Sequence, residues 1–161
     1  MKYLLLLLIP FSVMAEEVPI IGNVQSKCVI TTDTPGIYGN PTADKFSTAP
    51  ADGGVMPIVR YDVSIANAYK ARITTPISFS TSPSLTDTVV WTGSTSVSSV
   101  SDAQMSAYET NKIMYDNSTE YALTLAGSTW FKSNSSAKYG YNKAFPGGTY
   151  RAVVYAECIA R

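Results

Sequence analysis

Between Val59 and Ala66 apolar and polar positions alternate one by one, with Val59, Tyr61, Val63 and Ile65 on one side and Arg60, Asp62, Ser64 and Ala66 on the other. A period of two marks a strand with one buried face. The next segment repeats it: Ala71, Ile73, Thr75, Ile77 and Phe79 face one way, Arg72, Thr74 and Ser78 the other. Pro76 removes one ladder bond, which places that strand at an edge or a bulge. The expected core therefore includes Val59, Tyr61, Val63, Ile65, Ile73, Ile77 and Phe79. A first strand is expected near Val24 to Thr32. Further runs at Val89 to Thr92, Ile113 to Tyr115, Tyr121 to Leu125, Thr129 to Phe131 and Tyr150 to Ile159 are rich in β-branched or aromatic residues and bounded by turn formers. Their sum is an all-β domain.

Turn chemistry punctuates these runs at Asp116-Asn117-Ser118, Ser133-Asn134-Ser135-Ser136 and Pro146-Gly147-Gly148, where Asx side chains or glycines accept tight backbone geometry. One short helix is expected from Asp102 to Tyr108, because Ser101 followed three residues later by Gln104 fits a capping box. Asp33 to Met56 is a long Pro/Gly/Thr-rich connection, and structureless loops of that length are uncommon in compact domains. A short strand at Lys45 to Ser47 is expected to interrupt it. The Ser/Thr run from Thr92 to Ser101 reads as an edge hairpin.

The N-terminus changes the picture, because Lys2 precedes an apolar run from Leu4 to Phe11 and a Val13-Met14-Ala15 exit. This is the form of a cleavable secretory signal over residues 1–15, too short for a membrane span of roughly 20 apolar residues. No transmembrane segment is expected. Cleavage leaves 161 − 15 = 146 residues, with 12 − 1 = 11 basic side chains against 12 acidic ones. That is one domain, 24–161, preceded by an extension at 16–23. No Lys/Arg cluster offers a phosphate-neutralising surface, so nucleic acid is not an expected partner. Two cysteines in an exported chain, Cys28 and Cys158, predict one disulfide.

The chain contains no histidine, which removes a Ser-His-Asp triad, a Cys-His pair and nearly all catalytic zinc arrangements. Its acids are scattered, so no catalytic residue, metal ligand set or cofactor site is assigned. Asp33, Asp44 and Asp52 share the long loop but lack the spacing of a calcium loop. Asn117-Ser118-Thr119 and Asn134-Ser135-Ser136 have the form of glycan acceptors and are read as turns. Aromatic residues crowd the last third, and Tyr139 and Tyr141, flanking Gly140, are candidates for a contact surface toward a partner or sugar.

After the signal come Val18-Pro19-Ile20-Ile21-Gly22-Asn23-Val24, with Val18, Ile20, Gly22 and Val24 on one face, and a Phe145-Pro146-Gly147-Gly148-Thr149-Tyr150 stretch introduces the terminal strand. Together with the layout of residues 80 to 93, this resembles the subunits of chaperone–usher fimbriae, particularly the alpha-class and common-pilus types. The resemblance implies an immunoglobulin-like β-sandwich that lacks its last strand and a periplasmic chaperone in transit. It implies self-association into a surface fibre, with Val18, Ile20, Gly22 and Val24 as a donor strand for a neighbour. A disulfide tolerates Cα atoms at most about 7 Å apart, whereas strands flanking a filled slot lie about 10 Å apart. If Cys28 and Cys158 join the first and last strands, those strands approach directly there, and the sandwich is either complete, a self-contained secreted domain, or keeps a donor groove closed at one end only. The alternative is a monomeric secreted or surface-attached domain that binds a carbohydrate or protein ligand through its aromatic loops.

Overall fold

The structure, a computed structural model, describes residues 27–161 except Asn142. In chain order the strands are β1 (Cys28–Thr34), β2 (Gly39–Thr42), β3 (Lys45–Ser47), β4 (Ile58–Val63), β5 (Tyr69–Thr74) and β6 (Val89–Val100), followed by β7 (Ile113–Met114), β8 (Ser118–Leu123), β9 (Gly127–Tyr139) and β10 (Tyr155–Ala160). All pairings are antiparallel, in two sheets. One sheet runs β1-β4-β9, with β6 also paired to β9 and the β2–β3 hairpin joined to β9 through β3, beyond the stretch that pairs with β4; the other runs β10-β5-β8-β7. The order β1-β4-β9-β6 facing β10-β5 is the A-B-E-D facing F-C of an immunoglobulin constant domain. The β7–β8 hairpin is an insertion that pairs with the free side of β5. Strand G of such a domain would pair with the outer edge of β10, and among the described residues none does.

The expected inward positions Val59, Tyr61, Val63 and Ile73 are buried, and they pack with Tyr121, Leu123, Met105 and Phe131. Phe131 meets Tyr61 edge-on at 5.5 Å and Tyr121 at 4.4 Å. A buried phenol requires a partner for its hydroxyl. Tyr61 donates across the sandwich to the carbonyls of Arg72 (3.1 Å) and Glu157 (3.3 Å), pinning β4 to β5 and β10. Burial pushes its pKa far above the ordinary tyrosine value; that of Tyr121, whose hydroxyl meets Thr95, is pushed up to about 12 by the same cause. A second cluster of Phe46, Phe79, Tyr139, Phe145 and Tyr150 fills the opposite end.

Several local expectations give way. β5 ends at Thr74 because Thr75 turns its N–H to Asn117 and Pro76 has none to give, so Ile77 emerges 65% exposed. Phe79 joins the second cluster, and Ile65 lies half-buried beyond the end of β4. Ser133-Asn134-Ser135-Ser136 is not a turn: it lies inside the 13-residue β9. Of its inward serines, Ser135 bonds Tyr38 through its hydroxyl and Thr48 through its backbone N–H, whereas the Ser133 hydroxyl has no partner among the described residues. The Thr92 to Ser101 run belongs to one edge strand, bulged between Val97 and Ser99 and ending at Val100, rather than to a hairpin. The first strand begins at Cys28, and the last begins only at Tyr155. The helix is a 3-10 turn, Ala103–Tyr108, capped by Asp102, whose carboxylate accepts from the Gln104 N–H. Ser101 is diverted to the Ser128 N–H. The short strand expected at Lys45 to Ser47 is β3.

Candidate functional site

β1 and β10 are the outermost strands of opposite sheets, each with a ladder neighbour on one side. At one end they are joined by the Cys28–Cys158 disulfide, with Cα atoms 6.3 Å apart. No strand fits between them there, since an interposed strand needs about 10 Å. Ser64 reinforces this end: its N–H donates to the Lys27 carbonyl, and its hydroxyl receives the Lys27 N–H at 2.8 Å.

Away from the bridge the two edges part. β1 bulges between Thr32 and Thr34 and leaves its sheet at Pro35, while the chain reaches β10 through Gly148 to Val154, where Arg151 makes only an isolated bridge to Thr81. Between these stretches lies a groove of about 600 Å³. Pro35, Gly36 and Ile37 form one wall and Ala152, Val153 and Val154 the other, over a floor of Phe46, Val59 and Pro76. Ile37 is 58% exposed. The backbone groups of Ala152, Val153 and Val154 find no hydrogen-bond partner among the described residues.

The electrostatics of the groove are weak. Its ionisable lining groups are Tyr38, Tyr150 and Arg151. The Tyr38 and Ser135 hydroxyls bond each other at 3.0 Å, and burial raises the Tyr38 pKa more than that bond lowers it. Apolar walls beside unpaired backbone suit an extended peptide, whose main chain would bond along one edge and whose alternate side chains would seat in the floor.

On the opposite edge of the sandwich, a second recess of about 530 Å³ lies between Trp91 and Gly93 of β6 and the Thr75 to Ile77 turn. Farther along β6 the edge is occupied: Glu109 Oε2 accepts from the Val97 N–H at 2.7 Å, and Lys112 Nζ donates to the Thr95 carbonyl at 3.1 Å.

Of the residues predicted for function, Cys28 and Cys158 are bonded to each other. Val18, Ile20, Gly22 and Val24 lie outside the described residues, as do the signal and the extension. The Tyr139–Tyr141 pair is split. Tyr139 is 3% exposed, stacks on Phe145 and holds Thr86 through its hydroxyl, so it is no contact residue; Tyr141 is 87% exposed. Asp33, Asp44 and Asp52 do not converge, because they are held separately by Trp130, Thr42 and Lys45. The groove residues Ile37, Tyr38 and Ala152 to Val154 were not singled out beforehand. Their available signal was adjacency to the turn formers Thr34-Pro35-Gly36 and Pro146-Gly147-Gly148. Comparison with protein-family models, curated proteins and solved structures finds no match.

Proposed function

We propose that this chain is a non-enzymatic structural subunit of an extracellular fibre, in which an extended segment of one subunit adds to the open edge of β10 in the next. The observation that carries this reading is the immunoglobulin order in which, among the described residues, no G strand pairs with β10, with an apolar groove beside the place where G would lie. Strand addition would give the free backbone of Ala152 to Val154 the partners that main-chain groups require. In this reading residues 1–15 direct export, and Val18, Ile20, Gly22 and Val24 are the donor positions. A periplasmic chaperone shields the groove until assembly at the cell surface.

Two variants of the exported protein test the proposal. Deleting residues 16 to 22 removes the donor, and Ile37→Asp places a charge in the acceptor wall at a site already exposed to solvent. Both should leave a folded, exported monomer and abolish the SDS-resistant ladder expected of the wild type. Ladders from either variant would refute the reading. A wild-type chain that stays monomeric would favour the ligand-binding alternative, with Tyr141 as its first residue to test.

A further inference from the structure

The second recess, on the opposite edge of the sandwich from the groove, brings together chemistry that strand addition leaves unused. β6 contributes Trp91 and Gly93, the turn after β5 contributes Pro76 and Ile77, and the turn between β7 and β8 contributes Asp116 and Asn117. Trp91 is half-buried and braced by Phe79, with ring centroids 4.7 Å apart. The two turns are clamped to each other. Thr75 donates its N–H and its hydroxyl to the Asn117 main-chain carbonyl, and its own carbonyl accepts from the Asn117 side-chain amide. Gly93 adds no side chain to fill the space, and a Cβ there would collide with the Thr75 side chain.

The polar groups around this recess are uncommitted. On an antiparallel edge strand the main-chain groups that face out of the sheet recur at every second residue, and Glu109 and Lys112 mark them on β6 by taking the Val97 N–H and the Thr95 carbonyl. The N–H and carbonyl groups of Trp91 and Gly93 therefore face out as well, and they have no partner among the described residues. Nor, among those residues, do the Trp91 indole N–H, the Asp116 carboxylate or the Asn117 side-chain carbonyl. Carbonyls and a carboxylate call for donors, N–H groups call for acceptors, and Trp91, Pro76 and Ile77 call for an apolar surface. Ring hydroxyls donate and accept at once, and the C–H face of a sugar ring covers an aromatic one. The volume of about 530 Å³ lies within the roughly 300 to 1,000 Å³ of small-molecule sites. We infer that the recess binds a neutral saccharide through Trp91, Asp116 and the Gly93 main chain. Asp116 is the one charged side chain that lines it among the described residues, so an anionic sugar is repelled. A peptide strand is disfavoured, because Lys112 already occupies the edge at Thr95 and would stop an added strand at Gly93.

Monomer and fibre alike would carry the recess, and a fibre would repeat it once per subunit, so that weak single sites gain by avidity. Trp130→Phe leaves Trp91 as the only tryptophan of the chain, and its fluorescence then reports on the recess in either state. The full-length exported protein is titrated to about 20 mM with lactose, maltose, cellobiose and N,N′-diacetylchitobiose, and separately with an acetylated Thr/Val tetrapeptide. At least one sugar should give a saturable change. Asp116→Ala removes a carboxylate that has no partner among the described residues, so it should weaken that binding at least tenfold while leaving the melting midpoint in place. No saturable change with any of these sugars overturns the inference. Equal affinity in the Asp116→Ala protein also overturns it, because the sugar then binds elsewhere. A response to the tetrapeptide alone overturns it too, by making the recess a strand-adding edge. The fibre reading is untouched by all three results, since it stands or falls on the SDS-resistant ladder.

Discussion

Replacing Cys28 and Cys158 together by alanine removes a link that closes a loop of 130 residues, nearly the whole folded domain. In the chain-entropy account, a loop of that length stabilises the folded state by about 5 kcal/mol at 25 °C, at the top of the range found for single disulfides. The structure supplies a reason for the full effect. The bridge ties the two outermost strands, and each has a ladder neighbour on one side only, so no other direct link holds β1 to β10 as firmly. For a domain of this size, about 5 kcal/mol corresponds to a fall in Tm of roughly 15 °C. Scanning calorimetry of the exported protein and the double variant at matched pH measures it. Midpoints within about 2 °C of each other would mean that the bridge contributes little and that packing of Tyr61, Phe131 and Tyr121 suffices.

Ser133 is buried with a hydroxyl that has no partner among the described residues, so Ser133→Ala should be neutral or raise stability by about 1 kcal/mol in urea titration; a clear loss would point to a buried water on that oxygen. Val63→Ala should cost about 1 to 3 kcal/mol from lost burial and the cavity left behind, whereas Ile77→Ser at an exposed site should change stability by less than about 0.5 kcal/mol; similar losses from both would mean that the inward face has been misassigned. Glu120 is buried and bonded to Arg72 and Lys70, and the Arg72 bond is the main cause holding its carboxyl below 4.5. A pKa depressed by folding contributes stability above the unfolded value and loses it as pH falls through the folded value. The gap in Tm between wild type and Glu120→Gln should therefore be widest near neutrality and close as the pH drops below 4.5; a gap independent of pH would refute the ion-pair account.

Strands were legible wherever burial on one face left a period of two, as at Val59 to Val63. The signal failed where the interior is polar. Ser133 and Ser135 carry no hydrophobic alternation, and the bonds that hold Ser135 come from Thr48 and Tyr38, 87 and 97 positions away. Tyr139 looked like a loop residue because its partners Phe145 and Thr86 become neighbours only through the fold. Pro76 does interrupt the ladder, but the expected edge or bulge is not found: β5 lies between β10 and β8 and ends at Thr74, and the Thr75 N–H goes to Asn117. The groove escaped notice for a related reason. Its walls and floor come from separated stretches, each unremarkable alone, and its character lies in what they fail to cover.

The Glu109 and Lys112 contacts on β6 carry a consequence for how such a unit adds to others. Their carboxylate and ammonium occupy an amide and a carbonyl of the outer edge as the main chain of a neighbouring strand would, so at Thr95 and Val97 the sheet meets an imitation of its own continuation. Sheets with bare edges recruit one another without limit. Here one flank of the sandwich is terminated by charge over this stretch, while the other is left receptive beside β10. In the proposed fibre each subunit would offer one receptive flank and one donor segment, a valence of two, and particles of valence two form unbranched chains rather than clumps.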